Sequence, residues 1–239
     1  MQSGLGIAAS LAAGAAVGGA GLMTWAVRGR ASRVFGDSVW HGDRKSPLLA
    51  LTFDDGPSES TPDLLKILDR YRVPATFFMV GRNVERCPSI ARQVVSAGHE
   101  AGNHTHTHPR LDFKSPKFVY KELAVAQEAI QSATNAFPRW FRAPYGVRWF
   151  GVNAAQRRLG LTGAMWTVIG RDWRWDGQRV AACLLDGSRA GAILCLHDGR
   201  VLQQRPDIGP TLEAVEQAVP RLLERGFQFV TLSRMFPMG

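Results

Sequence analysis

Residues 48–71 read LLALTFDDGPSESTPDLLKILDRY, and their order decides the fold class. The run Leu48–Phe53 is apolar without alternation, as a strand covered on both faces requires. It stops at Asp54-Asp55-Gly56-Pro57, a cluster of turn residues. Thr61 then stands where an N-cap belongs and Pro62 suits the first helical position, so 61–71 is expected to be an amphipathic helix. A buried strand, a polar tip and a helix form one unit, and the chain repeats it. Residues 75–80 (ATFFMV), 99–104 (HEAGNH), 139–144 (RWFRAP), 162–168 (TGAMWTV), 191–197 (GAILCLH) and 227–232 (FQFVTL) read as further strands. Helices are expected over 88–98 (closed by Gly98), 117–134, 149–159 and about 210–225. About seven strands alternating with helices favour an α/β fold with a parallel sheet or closed barrel over a sandwich.

The 239 residues carry no low-complexity linker, so after the N-terminal segment is set aside a single domain is expected. The boundary is drawn between 1–38 and 39–239. A formal charge of +9 raises the question of a nucleic-acid partner. The arginines are scattered, with no basic run interleaved with aromatics, and nucleic-acid binding is not expected. Cys87, Cys183 and Cys195 are too few and too widely spaced for a disulfide framework or a paired-cysteine zinc site. Leu5–Val27 is uncharged, rich in Ala and Gly, and long enough as a helix to cross a bilayer. A cleaved signal, with Ala13-Gly14-Ala15 as its site, and a disordered tail compete with a membrane anchor. Arg28, Arg30 and Arg33 favour a cytoplasmic side for the domain C-terminal to them, but three charges are a modest bias. The reading adopted is an uncleaved anchor and membrane association through residues 5–27, with the folded domain extracytoplasmic.

Chemistry-bearing residues gather at the C-terminal ends of the expected strands: FDDGP, NHTHTH, RAPYG and LHDG. In parallel α/β barrels that rim is where active sites are built. Asp54 and Asp55 can both project from a strand tip that Gly56-Pro57 ends at once. A zinc ion takes imidazole and carboxylate ligands and leaves a position for water, which a second carboxylate can deprotonate. His104, His106 and His108 share one face if the segment is extended; if it turns, His104 and His108 converge without His106. Spacing alone does not choose.

Taken together, TFDDGP, HTHTH as H-[ST]-x-x-H, RAPYG, Asp172-Trp173 and CLHDG resemble, in order and spacing, the polysaccharide deacetylases with a NodB-homology domain, carbohydrate esterase family 4. The resemblance spans roughly Val39 to Leu232. It implies a distorted (β/α) barrel of about seven parallel strands and a hydrolase removing N-acetyl groups from a GlcNAc-type polysaccharide or oligosaccharide. It also implies Asp55, His104 and His108 as ligands of Zn2+ or another divalent transition metal such as Co2+, with His106 outside. Asp54 becomes the general base, Arg142 its partner, and the Tyr145 amide a donor to the oxyanion. His197 becomes the general acid with Asp172 orienting its ring, Thr105 steadies the histidine loop, and Trp173, Pro144 and Tyr145 border the substrate. Two positions depart from the family pattern: Ile169 replaces the first Asp of D-x-x-D-W, and Cys195 replaces the Leu of L-x-H, where it is expected to act as a small core residue. The rival substrates are a lipid-linked sugar, deacetylated or deformylated, and the rival role is an inactive carbohydrate-binding relative. His99 is expected to be structural, and Trp175 either stacks a sugar or packs on its own strand.

Overall fold

A computed structural model of the chain describes residues 18–237. Its centre is a curled sheet in which every paired strand is parallel. In chain order the strands are β1 (Ser38–Val39), β2 (Leu48–Asp54), β3 (Thr76–Met79), β4 (Glu100–Asn103), β5 (Trp140–Phe141), β6 (Thr162–Ala164), β7 (Val168–Ile169), β8 (Ile193–His197) and β9 (Gln228–Phe229). The order across the sheet is β1-β6-β5-β4-β3-β2-β8-β7, with β9 added to the start of β2. Only Met165-Trp166-Thr167 separate β6 from β7, so the sheet's two ends must curl toward each other. The Thr167 hydroxyl donates to the Trp40 carbonyl at 2.8 Å and His41 bridges Ala192 across that seam. The result is a distorted barrel containing all seven expected strands. β1 and β7, of two residues each, are additional.

The helices α2 (Thr61–Tyr71), α3 (Gly81–Arg86), α4 (Pro88–Ser96), α5 (Pro116–Thr134), α6 (Val152–Leu159), α7 (Gly177–Gly187) and α8 (Gly209–Glu224), together with a short α9 (Leu232–Met235), come after a leading helix α1 at 18–28. The cap of α2 is Ser60 rather than Thr61, whose hydroxyl is turned inward to Asp198 instead. α7 has no counterpart in the sequence reading, although its cap is an ordinary one: the Asp176 carboxylate accepts from the Arg179 amide.

Alternation along the central strands sorts residues between two environments. Leu49, Leu51 and Phe53 of β2 and Leu194 and Leu196 of β8 join the large core under the outer helices. Ala50 and Ile193 face the barrel interior with Phe78, Trp140, Val230 and Leu232. Thr52, Asp54, Cys195 and His197 continue that inner row toward the carboxyl ends, in the register Thr52↔Cys195 and Asp54↔His197. The bottom of the barrel is therefore apolar and its top polar.

The expected membrane anchor is corrected here. No helix among the described residues is long and apolar enough to cross a membrane. At 1.5 Å per residue the described part of α1, 18–28, spans about 16 Å, half of a hydrocarbon core. Ala26 and Val27 are buried in a cluster with Phe35 and Val147, against the barrel rather than toward a bilayer. The first part of the stretch, residues 5–17, lies outside the described residues. Membrane association is accordingly withdrawn.

Candidate active site

Each strand of the inner rim delivers one piece of a single pocket. β2 ends on Asp54, and Asp55 then takes φ +72°, which swings its carboxylate away from its neighbour's. β4 ends on Asn103, whose side-chain carbonyl accepts from the Thr105 amide and starts a tight loop. The Thr105 hydroxyl accepts from the His108 amide at 3.2 Å, closing it. Thr105 and His108 both have positive φ, so the segment is curled and not extended. Of the nine non-glycine residues with positive φ among the described residues, Asp55, Thr105, His108, Tyr145 and Val201 belong to this rim. Such backbone costs of order 1–3 kcal/mol per residue and clusters where function dictates geometry.

The curl brings His104 and His108 onto one carboxylate. Their Nε2 atoms lie 3.3 and 2.9 Å from Asp55 Oδ1. The three residues are buried and their donor atoms fall within 4.8 Å of one another. His104 Nδ1 faces the Arg142 carbonyl at 2.7 Å, which assigns the proton to Nδ1 and leaves the Nε2 lone pair free. Burial alone would raise the Asp55 pKa, but the imidazoles of His104 and His108 beside it hold its carboxyl well below the usual range. A buried anion facing two imidazole nitrogens suits a divalent transition metal: two nitrogens and one oxygen converge, and the pocket leaves the remaining side open. His106 is not in this set; its ring sits 3.9 Å from Glu85.

Asp54 points into the barrel. Its Oδ1 accepts from Arg142 Nη1 at 2.7 Å and its Oδ2 faces the Cys195 thiol at 3.5 Å. Arg142 is fully buried; its remaining donors go to Thr52 Oγ1 and the Ala164 and Met165 carbonyls, and its guanidinium lies 4.1 Å over the Phe78 ring. Burial, followed by the Asp54 charge, pushes the Cys195 thiol well up, so it is a protonated donor and not a thiolate. On β8, His197 Nδ1 faces Asp172 Oδ1 at 2.8 Å, and Asp172 Oδ2 accepts from the His197 amide at 2.9 Å and the Thr211 hydroxyl at 2.5 Å. Burial would lower the His197 pKa, but the Asp172 carboxylate raises it to about 9. Trp173 is half exposed and stands edge-on to the His197 ring at 4.9 Å.

Asp54, Asp55, His104, His108, Trp173, Cys195 and His197 line one cavity of roughly 830 Å3. Tyr145 forms part of its wall, exposed and stacked edgewise against His108 at 4.9 Å. Pro144 is buried behind that wall and does not face the cavity. Ile169 and Cys195, the two departures, both do. So do Trp166 and Arg200–Gln203, which the sequence motifs do not include; Arg200 lies 3.7 Å from Asp172. Arg200–Gln203 were signalled only by their place directly after LHDG. Trp175 sits between the guanidinium groups of Arg171 and Arg179 and packs on the outer core, away from the pocket. His99 is structural: its Nδ1 accepts from the Ala75 amide, and burial lowers its pKa to about 4.

The sequence pattern of the family described as polysaccharide deacetylase matches residues 41–164, which includes the aspartate pair, the histidine loop and Arg142. A chitooligosaccharide deacetylase of Bradyrhizobium is 41% identical over 194 residues, covering 77% of this chain and 89% of the relative. A peptidoglycan N-acetylglucosamine deacetylase of known structure superposes with a TM-score of 0.77 at 29% identity, covering 84% of this chain and 94% of that one. A pseudoenzyme of carbohydrate esterase family 4 from Bacillus anthracis superposes with a TM-score of 0.76 at 28% identity, over 83% of this chain and 68% of its own. The fold is thus compatible with activity and with its loss, and the residues present must decide between them. By the extent of these matches, the chain belongs to the polysaccharide deacetylase family.

Proposed function

We propose that this chain is a metal-dependent hydrolase that removes N-acetyl groups from a GlcNAc-containing oligosaccharide or polysaccharide, with Zn2+ or a similar ion such as Co2+ held by Asp55, His104 and His108. The observation that carries this reading is the meeting, in one pocket, of that ligand set with a carboxylate fixed by arginine and an imidazole fixed by a second carboxylate. A divalent ion bound there supplies Lewis-acid polarisation of the amide carbonyl and makes water more acidic.

The chain's own groups divide the proton work. Asp54, paired with Arg142, takes the proton of the attacking water. The carbonyl oxygen gathers negative charge as the amide becomes tetrahedral, and the Tyr145 amide, turned by its positive φ, is the donor assigned to it. His197 enters protonated, because Asp172 stabilises its cation, and gives that proton to the departing sugar amine. Trp173 and Tyr145, both lining the cavity, border the acetyl group and the sugar ring. An inactive role is disfavoured because Asp54, Asp55, His104, His108, Arg142 and His197 are all in place; binding alone needs no such set.

Acetate release from chitooligosaccharides and peptidoglycan fragments, measured with and without a chelator, tests the reading. The expected result is release from at least one of them that chelation abolishes and Zn2+ or Co2+ restores. Absence of release from metal-loaded, folded protein on both would sink it.

A further inference from the structure

Six residues outside every motif, the helix α3, touch all the loops that carry the Asp55, His104 and His108 cluster. The Val80 amide, at its cap, donates to the Gly56 carbonyl at 2.8 Å. The Gly81 and Arg82 amides donate to the Thr105 and His106 carbonyls, each at 2.9 Å. Gly81 is needed for that approach, since a Cβ there would come within 2.7 Å of His106 Nδ1 and 3.0 Å of Ala126 Cα. The fully buried Asn83 side chain then bridges two other segments, donating to the Asp55 carbonyl and to the Val201 carbonyl, both at 2.7 Å. Asn83 Oδ1 accepts from Arg86 at 2.8 Å, and Arg86 donates onward to the Leu202 and Gln203 carbonyls at 2.8 and 3.1 Å.

This network holds the loop after His197, and the loop bears on Asp55 directly. The Val201 amide donates to Asp55 Oδ2 at 2.9 Å, while Oδ1 is the oxygen that faces both histidines. Val201 does so at φ +52°, a conformation that a β-branched residue adopts only when its surroundings impose it. Asn83 and Arg86 supply the imposing contacts, to the carbonyls of Val201 and of the next two residues. A carboxylate with one oxygen occupied by an amide offers its other oxygen alone, in a fixed direction; with both free it can swing or bind through both.

We propose that Asn83 and Arg86 are positioning residues for the metal-ligating carboxylate, seating the Val201 amide on Asp55 Oδ2 so that Asp55 presents Oδ1 alone to the site. The role rests on the metal reading above. Because Arg200–Gln203 also line the cavity, the same clamp sets one wall of the substrate pocket.

Co2+ titrated into the chelator-stripped full chain, followed by calorimetry and by the visible spectrum of the bound ion, tests this without any substrate. Asn83→Ala is expected to weaken Co2+ binding about 10–100-fold, the scale for residues that orient a ligand, and to alter the spectrum as Asp55 gains a second free oxygen. Arg86→Ala, at the outer end of the network, is expected to weaken binding less and to shift the spectrum in the same direction. Val201→Gly keeps the amide and fits the positive φ, so its affinity should stay within about twofold of the parent. Lowered melting temperatures with parental affinity and spectrum in both alanine variants would reduce the network to a structural role and overturn the proposal. If Asn83→Ala does not fold, Arg86→Ala decides alone. A parent chain that binds no Co2+ would overturn the metal reading itself, and this role with it.

Discussion

Arg142 does two jobs from one position. Its side chain neutralises Asp54, and its main-chain carbonyl sets the tautomer of His104. The proposed base and one proposed metal ligand are thereby oriented by the same residue. Asp54→Asn should retain metal near one per chain yet lose about 10²-fold or more in turnover, the scale for removing a positioned base. It also strips Arg142 of its only anionic partner among the described residues, so a fall in melting temperature is expected alongside. Equal metal loss in Asp54→Asn and Asp55→Asn would refute the division of labour. As the proposed general acid, His197 is expected to set the alkaline limb. With a pKa raised to about 9 it keeps its proton through neutral pH, so the acid form, and kcat/KM with it, should fall as pH rises through about 9. Asp172→Asn removes the charge that raises it and should move that limb to lower pH; an unmoved limb would assign it to another group. At this scale the sequence was legible wherever a motif sat on a strand tip. It was silent on Val201 and Asn83, whose bonds to Asp55 and to each other join residues 28, 118 and 146 positions apart, through main-chain atoms that leave no trace in residue type.

At the scale of elements, the open question in the sequence was whether 104–108 is extended or curled. Spacing could not decide, because the deciding features are backbone: positive φ at Thr105 and His108, and the Asn103 and Thr105 side chains folded back onto it. Glu122 of α5 completes the turn, accepting from the His106 and Thr107 amides and the Thr107 hydroxyl. His108→Ala should therefore empty the metal site, while His106→Ala should leave metal content and most activity intact. Elemental analysis of washed protein separates the two, and loss of metal from His106→Ala would mean that the loop opens on loading. The long strands and helices were readable because their apolar periods are long. β1 and β7, two residues each, are too short to show a period, and exist because neighbouring strands leave them a ladder to join. α7 escaped the sequence reading for a different reason: the tryptophan and arginine residues just before it stand out for their side-chain chemistry and mask the Asp176 cap.

For the whole molecule, apolar residues plug the lower barrel and chemistry occupies its upper rim, so the stability and activity of the barrel are anchored at opposite ends. The N-terminal segment is tied to the side of this frame by Arg148, three residues beyond Tyr145. Arg148 is buried, and burial lowers its pKa to about 10, which still leaves it charged at neutral pH. It donates to the Ser32 carbonyl at 2.6 Å, the Ser38 hydroxyl at 2.9 Å and the Gly29 carbonyl, while its amide donates to the Val27 carbonyl. Phe35 stacks on Trp149 and Phe150 beside it. Composition marked residues 5–27 as a membrane segment, and of its described part only Ala26 and Val27 are buried, residues 18–25 being exposed. Here Ala26, Val27 and Phe35 are covered by the domain's own Val147 and Trp149. Arg148→Met keeps much of the volume and removes three charge-assisted hydrogen bonds, leaving the Gly29 carbonyl to the Ser32 amide and the Ser32 carbonyl to the more distant Ser38 hydroxyl; a hydrogen bond from a charged group contributes about 1.5–3 kcal/mol. A loss of about 2 kcal/mol corresponds to a melting temperature lower by roughly 4–8 °C in a domain of this size. The released segment carries Arg28, Arg30 and Arg33, all exposed, so trypsin should cut the variant there well before the parent, leaving a resistant fragment that begins near residue 34. Equal cleavage rates and equal melting temperatures would show that the segment is held by its apolar contacts alone.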